Sequence, residues 1–137
     1  MVLTNGHFDL LHVGHVRYLQ AARSLGDRLV VGLNGDETTR RLKGEGRPYV
    51  ADEERAELLA ALACVDYVVI FSEATAEALV QVLRPDIYVK GGDYAGGKPL
   101  PEAQIVASYG GVTQLLPHHE GRSTSALIQR IRGSPSA

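Results

Sequence analysis

The chain holds one cysteine, Cys64, no long block of like charges, no apolar run of membrane-spanning length, and neither of the common glycine-rich nucleotide fingerprints. Each absence removes a class of protein. A lone cysteine forms no internal disulfide, and its place in the apolar helical run Leu58-Leu59-Ala60-Ala61-Leu62-Ala63 fits a reducing compartment. The chain begins on a strand-like segment, without a basic region followed by an apolar one, so the expectation is a soluble, cytoplasmic protein with no membrane partner. A formal net charge of −2 and the lack of a basic arm argue against nucleic acid as a partner. After the first strand the chain reads Gly6-His7-Phe8-Asp9-Leu10-Leu11-His12-Val13-Gly14, which lacks the closely spaced glycine triad of redox dinucleotide folds. Gly-Lys-Ser/Thr is also absent, which disfavours a P-loop.

At 137 residues the chain has the size of one domain, able to bury roughly two-thirds of its unfolded surface. Strand-like apolar runs lie at residues 2–4, 28–34, 67–71, 87–90 and 112–116. Helical patterns lie at 13–25, 51–63, 75–83, 101–109 and 123–131, with Gly26 and Gly110 as helix terminators. Alternating β and α elements predict a single Rossmann-like α/β domain over residues 1–137, a five-stranded parallel sheet with helices on both faces. Ligands of such sheets bind beyond the carboxyl ends of the strands, where the strand order reverses. Three segments begin at strand ends: the turn to His12, a glycine-rich basic stretch at 35–50 that reads as a loop, and a glycine-rich loop at 91–99.

His12-Val13-Gly14-His15 is the most informative of these segments. Val16, Leu19, Ala22 and Leu25 follow at helical spacing, which puts both histidines at a helix start. A helix start presents unpaired N–H groups and a positive dipole end, Gly14 lets a phosphate come close, and imidazoles can donate to anionic oxygens. The competing metal reading needs further cysteine or histidine ligands at suitable spacing, and these are not apparent. Merely structural or solvated histidines are the third reading.

Gly121-Arg122-Ser123-Thr124-Ser125 opens the last helix. One hydroxyl suffices for an N-cap, so three beside Arg122 suggest a second phosphate cradle as well as a cap. Lys43 and Arg47 form either a solvated charge run or cations that close over a triphosphate. Arg55, in Asp52-Glu53-Glu54-Arg55, either pairs within its helix or reaches phosphates. Lys90-Gly91-Gly92-Asp93-Tyr94 is either a simple turn or a surface for a base or ribose, with Asp93 accepting hydrogen bonds. His118 and His119 carry no assigned chemistry.

Together these residues resemble the cytidylyltransferase-like nucleotidyltransferase superfamily over essentially the whole chain. His12 to His15 match its HxGH signature and Ser123-Thr124-Ser125 its late Ser/Thr signature. More narrowly, Thr4-Asn5-Gly6-His7-Phe8-Asp9, Arg41-Leu42-Lys43-Gly44, Arg47-Pro48, Val89-Lys90-Gly91-Gly92-Asp93-Tyr94 and Gly121-Arg122-Ser123-Thr124 look like the adenylyltransferase domain of ADP-heptose synthases. Glycerol-3-phosphate cytidylyltransferases share the framework, but there a Gly-Thr-Phe-Asp turn is usual where this chain has Gly6-His7-Phe8-Asp9.

The heptose resemblance implies transfer of AMP from ATP to D-glycero-β-D-manno-heptose 1-phosphate with release of pyrophosphate, Mg²⁺ accompanying the triphosphate. The cytidylyltransferase resemblance implies CTP and glycerol 3-phosphate. A non-catalytic nucleotide-binding module is the alternative of another class. The resemblance further implies a homodimer, and a separate kinase to supply the sugar phosphate. It assigns catalysis to His12, His15 and Lys43, and substrate binding to Arg47. Nucleotide and phosphate contacts fall to Asn5, Gly6, Phe8, Asp9, Gly14, Arg55, Gly91, Asp93, Arg122, Ser123, Thr124 and Ser125.

Overall fold

In the computed structural model, residues 1–92, 100–117 and 123–133 are described. The strands are β1 (Val2–Gly6), β2 (Leu29–Asn34), β3 (Tyr67–Phe71), β4 (Ile87–Gly91) and β5 (Val112–Leu116). They form one parallel sheet in the order β3-β2-β1-β4-β5. The helices are α1 (Val13–Arg23), α2 (Asp36–Lys43), α3 (Asp52–Ala60), α4 (Glu77–Leu83), α5 (Pro101–Ser108) and α6 (Thr124–Gly133). None is long and apolar enough to cross a membrane.

Side chains alternate across the sheet and divide the core in two. Val2, Leu29, Val31, Leu33 and Val89 meet Leu19 and Ala22 of α1 and Leu59 of α3 on one face. Leu3, Val30 and Tyr88 meet Val80 of α4 and Val106 of α5 on the other. Leu19 and Leu59 are wholly buried, each worth about 1.5–3 kcal/mol of apolar transfer. The expected fold is therefore the observed one, and both faces carry helices because every central strand is apolar on both sides.

Two local expectations are corrected. Residues 35–50 are not all loop, because α2 occupies Asp36–Lys43. Its acidic first turn (Asp36, Glu37) and basic last turn (Arg40, Arg41, Lys43) suit the helix dipole, but only Thr38 and Thr39 are buried, so no apolar stripe announces it. The starts of α2 and α3 also cap each other: Asp36 N–H donates to Asp52 Oδ2 at 3.0 Å, and Asp52 N–H to Asp36 Oδ1 at 2.8 Å. Gly26 does not terminate α1, whose cap is Ser24. Its need is space, since a Cβ there would lie 2.7 Å from Val2 Cγ2. Gly110, by contrast, takes φ +91° directly after the cap of α5, the left-handed conformation expected of a terminator.

The strand order reverses between β1 and β4, which run side by side with Thr4 opposite Val89. The carboxyl ends of these two strands are therefore where a ligand crevice belongs.

Candidate active site

A cleft of about 430 Å³ opens at this reversal point. Asn5 and Gly6 close β1 at its floor, Lys90 and Gly91 close β4, and α1 and α6 begin at its walls. The space is kept open partly by glycine. A Cβ on Gly91 would stand 3.1 Å from the Tyr18 ring, and one on Gly6 would stand 3.0 Å from Phe8.

The two signature histidines build the start of α1 themselves. His12 is the N-cap, with its Nδ1 accepting from Gly14 N–H at 3.1 Å. His15 Nδ1 accepts from His12 N–H at 3.3 Å, completing a reciprocal capping box in which imidazoles replace the usual hydroxyl and carboxylate. A ring nitrogen that accepts an N–H carries no proton, so each neutral ring holds its proton on Nε2. The rings stack with centroids 3.9 Å apart and planes 28° apart, and Phe8 tilts against His15 at 5.3 Å. Burial, with His12 beside it, lowers the His15 pKa to about 4, so His15 is a neutral donor at physiological pH. Both rings line the cleft, and both Nδ1 atoms are already committed to the helix start.

Asp9 is a keystone beneath the turn. Its side chain is fully buried, accepting from Arg47 Nε at 2.7 Å, Tyr49 N–H at 2.9 Å and Val50 N–H at 3.0 Å. Burial alone would raise its pKa, but the Tyr49 N–H, the Arg47 guanidinium and the Val50 N–H outweigh it and hold the carboxyl below its ordinary value. This contact draws the segment after α2 across the cleft and brings Arg47 to its lining.

Thr124 and Ser123 tie the last helix to the same place. Thr124 Oγ1 donates to Leu10 O at 3.3 Å, while Ser123 Oγ accepts from Ala126 N–H at 3.0 Å as an N-cap. Ser123 thus serves the ordinary capping role, and Ser123, Thr124 and Ser125 all line the cleft as well.

The cleft therefore gathers Asn5, Gly6, Phe8, Asp9, His12, Gly14, His15, Lys43, Arg47, Gly91, Ser123, Thr124 and Ser125 from the residues expected. Arg55 is a correction. Only 1% exposed, it donates to Val50 O at 2.8 Å, His7 O at 2.7 Å, Asn34 O at 2.9 Å and Asp36 Oδ1 at 2.8 Å. It neither pairs within α3 nor reaches phosphates; it welds the first turn to β2, α2 and the segment before α3. Asp93 and Arg122 lie outside the described residues.

Sequence reasoning passed over His7, Tyr18 and Lys90, which also line the cleft. Lys90 is the penultimate residue of β4, and its position near a strand terminus was the available signal. Burial depresses the pKa of its ammonium, Lys43 adding to the effect and Glu102 opposing it. Tyr18 lies one helical turn beyond His15, and its hydroxyl lies 2.6 Å from Thr4 Oγ1 and donates to Val89 O at 3.3 Å, bridging β1 and β4.

The cytidylyltransferase-like family model matches residues 3–130. The chain belongs to that family. As a cytidylyltransferase-like protein it is a nucleotidyltransferase, and His12, His15 and Ser123 to Ser125 stand at two helix starts that line one cleft. It is 56% identical over 131 residues to bifunctional protein HldE of Syntrophotalea carbinolica, covering 96% of this chain and 26% of that one. Bifunctional protein HldE of Helicobacter pylori is 52% identical over 132 residues, covering 96% and 27%. The nucleotidyltransferase chain thus spans about a quarter of the length of these curated relatives. Among solved structures it is similar to a lipopolysaccharide core biosynthesis protein of Thermoplasma volcanium, with a TM-score of 0.70 and 28% identity over 86% of this chain and 94% of that one. Pantothenate synthetase of Thermus thermophilus shares the fold at a TM-score of 0.53 and 16% identity, over 85% of this chain and 54% of that one.

Proposed function

We infer that this chain transfers AMP from ATP to a sugar 1-phosphate, D-glycero-β-D-manno-heptose 1-phosphate, releasing pyrophosphate. The observation that carries the transfer chemistry is the pair of Nε2–H imidazoles at the start of α1, in one cleft with Lys43, Lys90 and the hydroxyls of α6. The heptose acceptor rests on the HldE relatives and on the motifs shared with ADP-heptose synthases.

The acceptor's phosphate oxygen attacks the α-phosphorus in line, and the bond to the pyrophosphate oxygen breaks. No covalent enzyme intermediate is required. Negative charge builds on the oxygens around the five-coordinate phosphorus, and fixed donors lower its energy because they do not reorganise as it forms. His12 and His15 supply those donors through Nε2–H, their rings already locked by the cap. Lys43 and Ser123 to Ser125 hold the phosphates, Arg47 binds the acceptor, and the buried Asp9 keeps Arg47 in place.

Mg²⁺, carried by the triphosphate, would neutralise its charge and assist the leaving group. No cluster of three or more His, Cys, Asp or Glu is present among the described residues, and Asp9 is spent on Arg47, Tyr49 and Val50. The cleft fits an ion carried by the nucleotide's phosphates, with the chain supplying cations and N–H groups around it. Homodimer assembly, cytoplasmic residence and a sugar kinase that supplies the acceptor belong to the same reading.

A pyrophosphate-release assay crossing the four nucleotides with heptose 1-phosphate, other sugar phosphates and glycerol 3-phosphate tests it. ATP with heptose 1-phosphate is expected to be best. Equal or better turnover of CTP with glycerol 3-phosphate overturns the acceptor while sparing nucleotidyl transfer, and nucleotide binding without turnover of any acceptor supports a non-catalytic module.

A further inference from the structure

His7 lines the cleft beside the signature histidines but carries the opposite hydrogen-bonding character. Its Nδ1 lies 2.9 Å from Thr39 Oγ1, on α2. Thr39 is wholly buried and its hydroxyl donates to Asn34 O at 3.4 Å. A carbonyl only accepts, so the arrangement that satisfies both contacts has Thr39 donating to Asn34 O and accepting from His7, which puts the His7 proton on Nδ1 and a lone pair on Nε2.

That lone pair is unusual in its surroundings. His12 and His15 present Nε2–H, and Lys43, Lys90 and Arg47 are donors only. The other acceptors on the β1 side are engaged: Asn5 Oδ1 by the Tyr88 hydroxyl at 2.5 Å, and Asp9 by Arg47 and two backbone N–H groups. Burial, followed by Lys43, Arg55, Arg47 and Lys90, lowers the His7 pKa to about 4, so the lone pair persists at physiological pH.

Ionised phosphates only accept hydrogen bonds, so a bare Nε2 gains nothing from them. It matches a donor that lies next to a phosphate, given the cations clustered around it. A hydroxyl of a sugar or of ribose meets that condition. The amino group of a base is separated from the phosphates by the ribose.

We propose that His7 is a specificity-determining residue whose Nε2 accepts a hydrogen bond from a ligand hydroxyl adjacent to the reacting phosphates, so that the cleft selects hydroxylated over deoxy ligands. The assignment rests on the nucleotidyl-transfer reading above. Losing one neutral hydrogen bond corresponds to about tenfold in kcat/KM.

The test compares ATP with 2′-deoxy-ATP and 3′-deoxy-ATP, and heptose 1-phosphate with its 2-deoxy analogue, in pyrophosphate release by wild type, His7→Asn and His7→Gln. Asn keeps a polar atom where Nδ1 meets Thr39 but none at Nε2, and Gln places a carbonyl oxygen near Nε2. The expected result is about tenfold discrimination in wild type on one arm, collapse toward unity in His7→Asn, and substantial recovery in His7→Gln. The arm that collapses identifies the hydroxyl as the nucleotide's or the acceptor's. Equal losses on hydroxylated and deoxy ligands in His7→Asn, or no difference between Asn and Gln, overturn the proposal.

Nitrogen-15 NMR of the imidazoles in the wild-type protein gives a readout independent of turnover and of variant folding. His7 is expected unprotonated at Nε2, with His15 unprotonated at Nδ1. A proton on His7 Nε2 overturns the assignment. Absence of pyrophosphate release with every acceptor instead overturns nucleotidyl transfer and, with it, the role assigned to His7.

Discussion

The start of α1 is held by buried residues and by its own side chains, whereas α6 contributes no buried residue and is tied to the cleft through hydroxyls. Around α1, Gly14, Leu19 and Ala22 are buried, the two imidazoles close the capping box, and Asp9 and Arg55 secure the turn that precedes it. At the far end of α6, Arg132 Nη2 donates to Tyr49 OH at 3.1 Å, an exposed contact. The two walls of one cleft thus differ in what it costs to move them. The donors assigned to the transition state stand on the rigid wall, where preorganisation has most effect. The hydroxyls stand on the wall with few apolar contacts to resist adjustment.

The largest expected effect breaks the rigid wall at its chemistry. His15→Ala is expected to slow turnover by about 10²–10³-fold, the cost of removing one fixed donor to a developing oxyanion. Folding by circular dichroism should remain nearly intact, since the loss is one hydrogen bond from His12 N–H and the ring contacts with His12 and Phe8. Near-normal turnover would remove His15 from the reacting centre.

Breaking the same wall at its support comes next. Arg55→Met removes four hydrogen bonds, strands the carbonyls of His7 and Val50, and leaves that of Asn34 with the Thr39 hydroxyl. A loss of about 3 kcal/mol in urea denaturation is expected. A loss below about 1 kcal/mol would show that Arg55 is not the weld its geometry describes.

Acid sharpens the comparison without a substitution. His7 and His15 have folded pKa values of about 4 against an ordinary 6.5, so the unfolded chain binds protons first. Stability should fall as pH drops from about 6.5 to 4, by about 1–2 kcal/mol for each imidazole once solvent screening is allowed for. Substituting Phe at either position should remove its share of that slope, and an unchanged slope would contradict the burial assigned to it.

The smallest effect falls on the other wall. Ser123→Ala removes the α6 cap, worth about 1 kcal/mol, and hydrogen exchange should quicken in α6 while the urea midpoint stays in place. Global destabilisation would mean that α6 is integral to the core after all.

The residues that sequence reasoning placed well are those whose roles are local. His12, Gly14 and His15 follow a strand and precede an apolar helical stripe, so a helix start could be read directly. Ser123 was legible as a cap for the same reason. Arg55 was misplaced because its four partners come from four other segments, and no spacing within α3 reveals them. The helix α2 was hidden because it buries two threonines rather than an apolar stripe. His7 was read only as part of a turn, because its distinguishing contact is with Thr39, 32 residues away.

What the sequence alone determined is the alternating α/β plan, since apolar periodicity and turn residues act over a few positions. The two helix starts at the cleft are local in the same sense, and the family model, over residues 3–130, spans both. Only the tertiary structure decided which side chains stay available to a ligand. Asp9, Asn5 and Arg55 are chemically capable of binding, but contacts from distant segments engage the Asp9 carboxylate, Asn5 Oδ1 and the Arg55 guanidinium. His12 and His15, accepting at Nδ1, are left with Nε2–H, and the proposal for His7 is the reverse, for the same physical reason: a hydrogen bond at one ring nitrogen sets what the other can do.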